Sequence, residues 1–152
     1  MATGIGKWFG QAVISFVGGS LESENRRTDF LSNDMRLALL DAVPDQNTAK
    51  VWADIADTEI EGPGYTPGGQ ALTNKTLGFS SATRVTKFDA DDVAWDNATI
   101  SATAAAIYDN SPAADGDKIL YGFIDFQGVR SSDTNEFRIQ FDPAGLLTST
   151  AS

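Results

Sequence analysis

Asp and Glu number 21 in this 152-residue chain, while His and Cys are both absent. That inventory excludes a cysteine nucleophile, a Ser-His-Asp triad, an imidazole base, and any zinc or iron site ligated by Cys or His. Carboxylate chemistry, Lys or Tyr acid–base work and oxygen-ligated Mg²⁺ or Ca²⁺ remain open. The densest acidic run holds Asp89, Asp91 and Asp92, followed by Asp96. It lacks the Gly and Glu that an EF-hand loop needs at its sixth and twelfth positions, so it reads as a charged turn entering a strand. Asp115-Gly116-Asp117 is a turn signal between two β-like runs. Gly4 with Gly6, and Gly62 with Gly64, lack the spacing of a phosphate loop. The expectation is a protein that is not an enzyme, with no catalytic residue, no cofactor and no metal.

Four residues stand out for partner binding: Trp8, Phe9, Arg26 and Arg27. Arg26-Arg27 is the only adjacent basic pair and could hold a partner carboxylate bidentately, or could simply be a solvated loop pair. Trp8 and Phe9 could anchor a neighbouring subunit, or could belong to the apolar stripe of a helix that packs into the core. Trp52, Tyr65 and Trp95 could form an exposed stacking platform for a sugar, although alternation with Val93 places Trp95 in a core.

Charge narrows the partners further. With 11 basic residues against 21 acidic, the net charge is −10 and the isoelectric point is near 4.2, the wrong sign for a phosphate backbone or an anionic membrane. No apolar run approaches the roughly 18 residues of a membrane span. Neither nucleic acid nor membrane is therefore an expected partner.

The elements that must position these residues follow from periodicity. In Lys7–Val17, Trp8, Ala12 and Phe16 recur every four residues, with Gly18-Gly19 just beyond, which predicts a short amphipathic helix. A polar stretch over Ser20–Asn33 then reads as a loop. From Met35 the period changes to two. Met35–Leu40, Gln70–Leu77, Thr83–Phe88, Val93–Trp95, Thr99–Tyr108, Ile119–Phe126, Glu136–Phe141 and Leu146–Thr150 read as short strands separated by turn formers. Thr99–Tyr108 is a strand against the helix propensity of its alanines, and Ile119–Phe126 is apolar on both faces, as in a covered central strand. The predicted architecture is a mainly-β, antiparallel, jelly-roll-like sandwich over residues 35–152, preceded by a helix and extended arm over residues 1–34.

Several stretches, KWFGQAVIS, MRLALLDA, GPGYTPGGQALTNKT, FDADDVAWDNATISATAAAIYD and ILYGFIDFQGVRSSDTNEFRIQFDPAGLLTST, cover nearly the whole chain. Together they resemble a family of small virion proteins of tailed bacteriophages. That resemblance implies a structural protein made in the host cytoplasm and resident in the virion, with the capsid surface as its expected place. On this reading it is a decoration or cement protein, homo-oligomeric, whose partners are the major capsid protein and other virion proteins. A tail, neck or fibre-associated structural protein is the alternative, and a carbohydrate- or receptor-binding module the second.

Overall fold

A computed structural model of the chain describes residues 2–4, 6–9 and 29–151. The described chain is mainly β, with three single 3₁₀ turns at Trp52–Asp54, Ala56–Thr58 and Asp115–Asp117. Its strands are β1 (Ala2–Gly4), β2 (Lys7–Trp8), β3 (Met35–Leu40), β4 (Gln70–Ala71) and β5 (Thr76–Ser80), followed by β6 (Val85–Asp89), β7 (Val93–Asp109), β8 (Leu120–Phe141) and β9 (Leu147–Thr150). One sheet runs β1-β8-β7-β3-β4, with β2 also on β8, and a second runs β5-β6-β9. All pairings are antiparallel except β1 with β8.

Two pairs of expected strands are each one strand. Val93–Trp95 and Thr99–Tyr108 merge in β7, and Ile119–Phe126 and Glu136–Phe141 merge in β8. The intervening residues read as turns, yet Arg130, Ser131, Ser132 and Asn135 pair with β7 while register shifts take up the others, in the exposed middle of a long ribbon. This ribbon folds over itself. Phe126 and Phe137 lie on the same strand with ring centroids 6.3 Å apart, whereas eleven extended residues would span about 36 Å. The bend coincides with register shifts and with left-handed backbone at Asn97, Gln127, Gly128 and Thr134.

The shift between Ala102 and Ala104 also decides which face each side chain takes. Ala98, Ile100 and Ala102 enter one core, but past the shift the same core takes Ala105 and Ile107. Ala104, Ala106 and Tyr108 now point into a second core with Trp52 and Ile55. A strand has period two, so an odd offset moves every following residue to the other face. The alanines resist their helix propensity because β3 and β8 flank β7 in the sheet and both of its faces are buried there. Ile119–Phe126 is buried throughout save for half-buried Asp125, as its apolar run predicts.

The helix expected over Lys7–Val17 is corrected at its start. Lys7 and Trp8 pair with Phe123 and Gly122, and the Phe9 N–H donates to the Tyr121 carbonyl at 3.0 Å. The edge of β8 offers backbone partners there, and the ladder overrides a weak local preference. Residues 10–17 lie outside the described residues. Through β1 and β2 the start of the chain belongs to the main sheet.

Candidate functional site

Phe9 is fully buried against Phe123, with centroids 5.1 Å apart, so its ring serves the second core and offers a partner no surface. Trp8 is half-buried. Its Nε1–H donates to the Thr148 carbonyl at 2.7 Å and its ring meets Phe88 edge-on at 4.9 Å, which ties β2 to the second sheet. Arg26 and Arg27 lie outside the described residues.

The three rings considered as a sugar platform are buried and divided. Trp52 stacks on Tyr108 at 4.3 Å in the second core, while Tyr65 and Trp95 lie 5.7 Å apart in the first. An exposed platform built on these rings is therefore ruled out. The acidic run is likewise spread over separate tasks: Asp89 pairs with the Lys87 ammonium at 3.0 Å, Asp91 accepts from the Asn74 amide, and Asp92 accepts from the Phe141 N–H at 2.8 Å. A groove bears Asp41, Asp57, Glu59 and Glu61, but among the described residues no three acidic groups converge as cation ligands.

Glu59 instead organises the Gly- and Pro-rich segment. One of its oxygens accepts from the Tyr65 hydroxyl at 2.7 Å and from the Gly68 N–H at 2.6 Å. Tyr65 in turn accepts from the buried Leu39 N–H at 3.1 Å, and Tyr108 donates to the Gly68 carbonyl at 2.8 Å. Pro63 accepts from the Thr99 N–H at 2.9 Å, so residues 62–69 form a clamp over β7 and β3. Burial, followed by the hydrogen bond to Glu59, pushes the Tyr65 hydroxyl above its ordinary value of 10.0. Burial, followed by the Glu59 charge, does the same to Tyr108.

This clamp makes a pH prediction. Both folded values lie above the unfolded one, so the stabilisation is complete below pH 10 and is lost as pH rises beyond it. Urea midpoints should be flat between pH 7 and 9 and fall steeply towards pH 11. Tyr65→Phe should cost about 1–3 kcal/mol at pH 8, because it strands the Leu39 N–H, and should make the alkaline fall shallower. An equally steep fall in the variant would remove Tyr65 as its source.

Two of the large hydrophobic side chains that the described surface exposes share one strand. Phe79 is 61% exposed and Leu77 47%, both on β5, the outer strand of the second sheet. Phe79 falls between the expected strands Gln70–Leu77 and Thr83–Phe88, whereas β5 runs on to Ser80. The local signal was the alternation Thr76-Leu77-Gly78-Phe79-Ser80. Beside this strand a shallow groove is walled by Gly78, Phe79, Lys87 and Pro143, with the Lys87 ammonium held 2.9 Å from the Pro143 carbonyl. Protein family models, curated proteins and solved structures give no match to this chain.

Proposed function

We propose that this protein is a structural component of a bacteriophage virion, a capsid decoration or cement protein that binds the outer shell and stabilises contacts between major capsid subunits. The observation that carries an interaction role is the uncharged β5 strand, every residue of which is exposed, Leu77 and Phe79 included, since contiguous exposed apolar surface marks protein contacts. The sequence resemblance supports the virion as its setting. The mechanism is mass action: a chain that binds only the assembled shell stabilises that shell, and the area buried across subunit seams opposes their separation. A net charge of −10 suits an outer surface rather than contact with packaged DNA.

Quantitative mass spectrometry of purified particles tests the reading. A copy number in simple integer ratio to the major capsid protein is expected, as shell symmetry requires. A handful of copies per particle would move the protein to the tail, neck or fibre, and its absence from particles would overturn the virion assignment.

A further inference from the structure

Every residue of β5 is exposed, and among the described residues its outer edge borders no other strand. Bare edges invite a further strand, and soluble chains guard them with charge, Pro or a bulge. β5 has none of these. Thr76–Ser80 carries no charge and no Pro, and all five residues pair with β6 in unbroken register. Leu77 lies across from Phe88, and Phe88 from Leu147, so Leu77 and Phe79 extend the core-facing side of the sheet past its last covered strand.

The character of the strand identifies the occupant. A chain of net charge −10 repels its own copies over most of its surface, but this edge is neutral and nearly symmetric about Gly78. Antiparallel pairing with a second copy sets Gly78 against Gly78, Leu77 against Phe79 and Thr76 against Ser80. Apolar side chains then meet on one face and hydroxyls on the other, and the next rung sets Lys75 against Ser81, so no like charges are opposed. We infer that two copies of this chain join through antiparallel β5 strands centred on Gly78, merging two three-stranded sheets into one of six. This rests on β5 being an interaction surface, and not on where in a virion the chain sits.

The chain has no Cys, so a single introduced thiol reports the register. Cα atoms facing each other across an antiparallel pair are about 4.5–5.5 Å apart, within the reach of a disulfide. A Cβ at Gly78 or at Gly116 meets no atom within 4 Å, so both positions accept Cys. Under mild oxidation Gly78→Cys should convert largely to a covalent dimer, while Gly116→Cys should not. In sedimentation equilibrium the wild-type chain should associate reversibly, and Phe79→Lys should weaken that association by about tenfold or more with an unchanged circular dichroism spectrum. A monomeric wild type, a folded Gly78→Cys that stays reduced, or unaltered association of Phe79→Lys would overturn the inference. If such a monomer still loads onto particles, self-pairing alone falls and the structural role stands.

Discussion

Gly69→Ala is expected to lose roughly 4 kcal/mol or more, a large share of the about 5–15 kcal/mol by which a folded domain is stable. Gly69 holds a φ of +73°, and a Cβ built there lies 2.0 Å from the Leu37 carbonyl oxygen and 2.7 Å from the Ala38 Cα. Both contacts are with the backbone of β3, which is paired on both sides and cannot retreat. Left-handed strain alone costs about 1–3 kcal/mol, and displacing a buried strand adds to it. The neighbouring clamp would be lost as well, because Gly68 is held by both Glu59 and Tyr108. Soluble yield and urea unfolding measure the effect against Gly116→Ala, where open space surrounds the new methyl and the change should stay within about 0.5 kcal/mol. A Gly69→Ala midpoint matching wild type would mean that residues 62–69 do not lie against β3.

Phe9→Ala should cost about 3–5 kcal/mol, the range for deleting a buried aromatic ring. Phe9 is fully buried between elements far apart in sequence, and its N–H holds β8 at Tyr121. A residue acting only as a partner anchor would leave the free protein's stability unchanged on substitution, so denaturation of the isolated chain separates the two roles. The result also governs how attachment is tested. Removing the first 23 residues takes away Phe9 and two strands that pair with β8, so lost binding by that truncation would report lost folding. Arg26→Ala with Arg27→Ala is the cleaner probe of an attaching arm, and particle occupancy its readout.

The bent ribbon shows why the strands were legible while their connection was not. Phe137, Ile139 and Phe141 alternate with polar neighbours, and the buried side of each follows directly from period two. The stretch Ser131, Ser132, Asp133, Thr134 and Asn135 carries every mark of a turn, yet Ser131, Ser132 and Asn135 pair with Ser101, Ile100 and Ala98 of β7, and a register shift takes up the two residues between. Turn propensity is a local quantity of a few tenths to about 1 kcal/mol, and ladder pairing on either side outweighs it. The same imbalance took Lys7 and Trp8 from an expected helix into a strand.

Composition by itself determined the charge of −10 and the absence of His and Cys chemistry, and alternation determined that the chain is mainly β from Met35 onward. These are properties of single residues and near neighbours, and folding does not alter them. Tertiary structure alone decided that the rings of Trp52 and Tyr65 are covered and that of Phe79 is not. Trp52 and Tyr65 look as available in the sequence as Phe79 does, but those two lie beneath other elements and Phe79 sits on the last strand of its sheet. Exposure depends on what packs above a residue, and the strands that meet here are separated by tens of residues, so no local pattern records it.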